Sequence, residues 1–259
     1  MKKSKIAVLV AMVVVLAFSL AACGGSDKSS SDKTVYKVGT EPTFPPFDTT
    51  DEDQNIVGLD MDLIKAIGED QNFDVEFENL SFDGLIPALK AGNIDIVAAG
   101  MNKDDEDRQK EVDFSDSYYE SKLFVAVTED NTTIKSVEDL TPDMKVAAQT
   151  GTTGASKVKE LKDAGKIKEA VILDGLDTCM MKLINGDVSA VINDKPVTEA
   201  YMKKQPDKIK MVGEALNAEK YGFAVQKGNA ELVEKINNGL KHIKENGTYD
   251  KLVDEWFNK

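Results

Sequence analysis

Arg108 is the single arginine in a chain of 259 residues that otherwise takes its positive charge from lysine. A guanidinium presents two parallel N–H donors to the two oxygens of a carboxylate, which an ammonium does not. The plainer alternative is a solvated surface charge, because Arg108 sits in the acidic run NKDDEDRQKE. A second group with chemical potential is Thr150-Gly151-Thr152-Thr153-Gly154, at the start of a helical pattern. Free N–H groups and hydroxyls there favour an anion, although GTTG taken alone is no more than a turn. The third is GTEPTFPPFDTT, residues 39–50, which puts three of the seven prolines, two phenylalanines and Glu41 directly after an apolar alternation. An ordinary connection would be short and polar. Here prolines stiffen the loop and keep Phe44 and Glu41 at the end of a strand. Hydrolase, nucleotide and metal readings lack their motifs: there is no GxSxG, no P-loop and no His/Cys cluster. The only histidine, His242, lies in a C-terminal helical pattern away from every strand end.

The elements that must position these residues alternate. VYKVGT (35–40), FDVEFEN (73–79) and IDIVAAG (94–100) have strand patterns, and LDMDLIKAIGED (59–70) and FDGLIPALKAG (82–92) have helical ones. A βαβαβ series predicts a mainly parallel sheet between helices. Asp60 and Asp62, at the opening of the first helix, are expected to cap its free N–H groups. A second α/β series follows, with strands at LFVAV (123–127), KVAAQTG (145–151), AVILD (170–174) and VSAVIND (188–194) and helices at ASKVKELKDAG (155–165) and TCMMKLING (178–186). YGFAVQKG (221–228) is a further expected strand, and two helices separated by Gly247 close the chain. Crossings near 118–122 and 217–221 then divide the chain into two lobes: 34–120 plus 219–259, and 121–218. Ligands in such sheets sit beyond the C-terminal ends of strands. Four polar ends therefore point to one cleft: GTEPTF, AAGMN, AQTGTTG and INDKP.

The N-terminus sets the compartment. Lys2, Lys3 and Lys5 precede an apolar run from Ile6 to Leu20, which is the pattern of a secretory leader over 1–22 and is short for a bilayer span. Leu20-Ala21-Ala22-Cys23 is similar to a bacterial lipobox, in which the cysteine is acylated; a plain signal peptide is the alternative. The Gly/Ser-rich segment 23–33 that follows is expected to be a flexible tether to a membrane. Cys179 would then be the only other cysteine, in an apolar helical context that suits a buried structural thiol. Without the leader's three lysines the balance is 29 basic against 46 acidic residues, so nucleic acid and anionic membrane faces are poor partners.

From residue 34 onward the chain resembles the polar amino-acid-binding lipoproteins that serve ABC importers. The phrases that carry the resemblance are GTEPTFPPF, GLDMDLIKAI, FDGLIPALKAGNIDIVAAGM, RQKEVDFSDSYY, AQTGTTGAS, GDVSAVINDKP and ENGTYDKLVDEWF, in order and at family-like spacing. The resemblance implies a two-lobed α/β clamp that closes around its ligand. It implies no catalysis and no cofactor, a monomer outside the cytoplasm, a lipid anchor as the only membrane attachment, and a membrane permease as partner. It further implies that Arg108 clamps the ligand carboxylate and that Asp194 pairs with the ammonium. An N-cap for the helix after Pro196 is the alternative for Asp194. By the same resemblance Thr152 and Thr153 touch the ligand backbone, and the Gly100 carbonyl approaches the ammonium. Phe44 and Phe82 bracket the side chain, and Glu41 and Gln149 read its tip.

Two departures stand out. Asn102 occupies a position where the family usually carries Thr or Ser, and the segment from Gly100 to Arg108 is one residue longer and lacks the usual proline. A carboxylate at 41 suits a cationic side chain or the amide of glutamine and repels an acidic one. Two rival functions share the fold class. One is a secreted enzyme similar to cyclohexadienyl dehydratases, with Glu41 as acid; the other is a tethered amino-acid sensor.

Overall fold

The computed structural model describes residues 33–258. The expected leader, the lipidated Cys23 and the tether, but for its last residue, lie outside the described residues. The first half of the described chain comprises β1 (Thr34–Thr40), β2 (Thr49–Thr50), β3 (Ile56–Val57), α1 (Leu59–Gln71), β4 (Phe73–Asn79), α2 (Phe82–Lys90), β5 (Ile96–Val97), α3 (Glu106–Glu111) and β6 (Val112–Phe114). There follow β7 (Tyr119–Thr128), β8 (Lys145–Gln149), α4 (Thr153–Asp163), β9 (Glu169–Leu173), α5 (Leu176–Ile184), β10 (Ala190–Asp194) and α6 (Lys195–Lys204). Then β11 (Ile209–Tyr221) leads back to β12 (Ala224–Gln226), α7 (Ala230–Glu245) and α8 (Thr248–Phe257).

Two five-stranded sheets organise the two lobes of this α/β clamp, in the orders β4-β1-β5-β12-β6 and β11-β7-β10-β8-β9. Both are mixed. β1 is parallel to β4 and β5, and β8 is parallel to β10 and β9. β12 runs antiparallel to both of its neighbours, as does β7. Val146–Gln149 and the whole of β10 are buried, the near-continuous run expected of strands covered on both faces by helices. In α7 the buried Leu232, Ile236, Leu240 and Ile243 recur every three or four residues and form the stripe that packs this helix onto the core.

The chain passes between the sheets twice, from β6 into β7 and from β11 into β12. The passing segments lie side by side, with Tyr119 opposite Tyr221 and Lys122 opposite Ala218. Phe47 is fully buried beneath them, its ring 4.9 Å from that of Tyr119, 5.0 Å from Tyr221 and 5.7 Å from Phe257.

Three further expectations need correction. The strand expected over 94–100 is only Ile96–Val97, because Gly100 takes φ +54 and its N–H bonds to a carboxylate, Asp60 Oδ2 at 2.8 Å. Likewise the strand expected over 221–228 shrinks to Ala224–Gln226, since Tyr221 is the last residue of the long β11. Finally, neither Asp60 nor Asp62 caps α1, whose N-cap position is Gly58 without a side-chain bond. Asp60 is fully buried and also accepts from the Tyr118 hydroxyl at 2.6 Å, while Asp62 accepts from the Trp256 indole at 2.8 Å. Long-range partners override the local capping preference at both positions. Cys179 is fully buried, and burial pushes its thiol up to about 12, so it is a core residue.

Candidate functional site

At the end of β1 the chain turns at Glu41, whose Oε2 accepts from the Thr43 hydroxyl at 2.8 Å and from Gln149 Nε2 at 2.7 Å. Burial pushes the Glu41 carboxyl up, and those two donors hold it down in part. Phe44 is bridged to Asp48 by backbone hydrogen bonds, and its ring packs against Gly100. A Cβ at Gly100 would come within 2.6 Å of the Phe44 ring, so the missing side chain is what allows the loop to seat. Phe82, the first residue of α2, lies under the Arg108 guanidinium at 5.3 Å.

The residues after β5 supply Gly100 and Asn102, and α3 supplies Arg108. Asp105 caps α3 by accepting from the N–H groups of Asp107 and Arg108, which turns Arg108 inward. Arg108 is 8 % exposed, so it is not the surface charge that the surrounding acidic run would suggest. Its Nη2 donates to the Gly151 carbonyl at 2.9 Å, across the cleft, and Nη1 to the Asn102 carbonyl at 3.3 Å. The longer Gly100–Arg108 segment therefore still delivers the guanidinium to the cavity. The amide oxygen of Asn102 accepts from the N–H groups of Asp104 and Lys220. What Asn102 can offer the cavity is its NH2, a donor like the hydroxyl usual at this position.

From the second lobe, Gln149 ends β8 and Thr152 caps α4, its hydroxyl accepting from Ala155 N at 3.0 Å. Asp194 ends β10 and occupies the N-cap position of α6, yet its side chain makes no cap bond. Instead Asp194 Oδ1 accepts from the Tyr221 hydroxyl at 2.6 Å and from Ser121 Oγ at 3.0 Å. Burial pushes this carboxyl up to about 6, against those donors and the nearby Arg108.

All ten residues singled out as ligand contacts line one cavity: Glu41, Phe44, Phe82, Gly100, Asn102, Arg108, Gln149, Thr152, Thr153 and Asp194. The room left among these side chains is small: the positions a water-sized sphere can take add up to about 20 Å³, about what one water needs. Its lining brings together the Arg108 guanidinium, hydroxyl and NH2 donors, the Asp194 carboxylate near that guanidinium, and Glu41 bonded to Gln149. Such a set can hold an anion and a cation at once, together with a polar tip between aromatic walls.

The model of one protein family matches residues 36–259. The chain belongs to the bacterial extracellular solute-binding proteins, family 3. Among its relatives is a probable histidine-binding protein of Neisseria gonorrhoeae, 34 % identical over 94 % of this chain and 92 % of the relative. The ABC transporter arginine-binding protein 1 of Escherichia coli is also 34 % identical, over 85 % of this chain and 89 % of that protein. In three dimensions the chain is similar to an ancestral arginine-binding protein bound to arginine, with a TM-score of 0.82 and 44 % identity over 87 % of this chain and 99 % of that one.

Three further residues of this solute-binding protein line the cavity without having been singled out: Ala99, Glu219 and Tyr221. Glu219 and Tyr221 stand two apart on β11, so they share a strand face. That alternation in AEKYGF, at a crossing between lobes, is the signal that could have found them. Among the described residues no helix is long and apolar enough to cross a membrane.

Proposed function

We propose that this solute-binding protein captures a polar L-amino acid between its lobes and hands it to the permease of an ABC transporter. The observation that carries the reading is the pairing of a buried Arg108 guanidinium with a buried Asp194 carboxylate around one small cavity. A zwitterion needs that complement: paired N–H donors for its carboxylate and an anion for its ammonium. Asn102, Thr152 and Thr153 add donors, the Gly100 carbonyl adds an acceptor, and Phe44 and Phe82 flank the side chain. At the far end Glu41 and Gln149 select a cationic side chain, as in arginine, lysine or histidine, or the amide of glutamine. Relatives that bear the names of histidine and arginine binders support this choice.

Contacts across the cleft support a closing motion. Besides the Arg108–Gly151 and Glu41–Gln149 bonds, the Tyr201 hydroxyl donates to the Thr43 carbonyl at 2.9 Å and Leu176 N to the Thr43 hydroxyl at 3.2 Å. On this reading residues 34–120 and 219–259 form one lobe and 121–218 the other. Acylation of Cys23 in Leu20-Ala21-Ala22-Cys23 anchors the monomer to the outer side of the cell membrane.

A thermal-shift screen against the twenty amino acids, ornithine and cystine tests the reading, because a ligand that binds only the folded state raises the melting temperature. Stabilisation by a cationic amino acid or glutamine is the expected result. Arg108→Ala should weaken every amino-acid ligand by at least about tenfold, the scale of a lost charge-assisted bond in a desolvated site. Near-native calorimetric affinity in that variant would refute the clamp.

A further inference from the structure

Glu219 stands in the cavity wall although capture of a zwitterion does not require it. It is 2 % exposed and lines the same cavity as Asp194 and Arg108. Its strand position is opposite Ser121 and two residues before Tyr221, the two residues whose hydroxyls orient Asp194. The hydrogen bonds Glu219 makes are neutral ones: Asn217 Nδ2 donates to Oε1 at 2.6 Å, and the Thr153 hydroxyl is a second donor. The charged groups that face it are Asp194 at the end of β10 and Arg108 on α3. Arg108, however, directs its N–H groups to the carbonyls of Gly151 and Asn102.

The lining thus holds three carboxylates, Glu41, Asp194 and Glu219, against one guanidinium. With all of them ionised the empty site carries two uncompensated negative charges, a costly state in a desolvated cavity. A zwitterion with a neutral side chain changes nothing in that sum. An amino acid with a cationic side chain cancels one charge, so one more carboxylate can stay ionised in the closed site.

Resting on the amino-acid reading, we propose that Glu219 tunes this site to the net charge of its ligand. Capture of a cationic amino acid releases a proton from Glu219 to solvent, and capture of a neutral one leaves that proton in place. Burial and the neighbouring Asp194 push the Glu219 carboxyl up to about 7, so both of its forms are populated near neutrality. The sign follows. Raising the pH ionises Glu219 and strengthens binding of cationic ligands only, whereas Asp194 faces the ammonium common to both classes.

Calorimetry with arginine and with glutamine tests this. Between pH 6.5 and pH 8.5 arginine should gain about fourfold in affinity and glutamine less than about twofold, as linkage to a single carboxyl near neutrality requires. At pH 7, titration in buffers of different ionisation enthalpy should count about half a proton released with arginine and none with glutamine. Glu219→Gln should abolish the arginine proton release and flatten its pH profile while still binding glutamine. Glu41→Gln should bind arginine more weakly but keep the release. A Glu219→Gln variant that still releases the proton, or one pH slope shared by both ligands, would overturn the proposal. Absence of binding by every amino acid would overturn the underlying reading instead.

Discussion

Glu41 shows how one carboxylate is made selective. Its Oε2 already accepts two hydrogen bonds, from Thr43 and Gln149, and it is 8 % exposed. A guest that brings a cation offsets the cost of keeping this buried group ionised, and a neutral guest does not. Glu41→Gln keeps an acceptor oxygen for both donors and removes only the charge. Affinity for arginine should fall by about tenfold or more while that for glutamine changes less than about threefold, as competition calorimetry would show. Equal losses for both ligands would mean that Glu41 acts on closure and not on the side chain. Asn102 makes a related point: its oxygen serves two backbone N–H groups, so a substitution that looks like a change of ligand donor also fixes a turn.

The loop after β1 works as an element because Thr43 gathers contacts from both lobes. Its hydroxyl donates to Glu41 and accepts from Leu176 N, and its carbonyl accepts from the Tyr201 hydroxyl. α5 and α6 are thereby drawn onto the loop from the second lobe, at their first turn and their middle. Thr43→Val keeps the size of the side chain but loses both hydroxyl bonds, each worth about 1 kcal/mol net. Ligand dissociation should quicken by about fivefold, since the Leu176 bond is the one of the two that crosses the cleft, and association should change little. Stopped-flow measurement separates the two rates. An unchanged dissociation rate would show that the Arg108–Gly151 and Glu41–Gln149 bonds suffice to hold the lobes.

For the molecule as a whole, the pH dependence of stability is set by buried acids. Asp48 and Asp60 are both fully buried, and each has one oxygen, Oδ1, without a hydrogen-bond partner. Burial pushes Asp60 up to about 7, and Asp48 higher than its ordinary range, helped by repulsion from Asp60. A carboxyl raised in the fold binds its proton more tightly than in the unfolded chain, so stability falls as pH rises between about 4 and 7. The Asp194 and Glu219 carboxyls act in the same direction, and so does the excess of acidic residues. The melting temperature should therefore rise by several degrees as pH falls from about 8 to 5.5. Asp60→Asn keeps an acceptor for Gly100 and Tyr118 and places an NH2 where an oxygen had no partner. Differential scanning fluorimetry should find this variant flatter in pH and at least as stable as the parent near pH 8. A parent profile that rises with pH instead would remove the buried pair from the account. Sequence alone determined the alternation of strands and helices and the four polar strand ends, since periodicity and turn chemistry are local properties of the chain, and the order of its motifs carried the family resemblance that implied the ten residues around the cavity. Only the tertiary structure decided that Asp60 braces Gly100 and is not a cap, that Arg108 is buried despite its acidic surroundings, and that Glu219 joins the site. Each of those depends on partners tens of residues or more distant in sequence or on the far side of the cleft, and burial by distant segments leaves no local pattern to read.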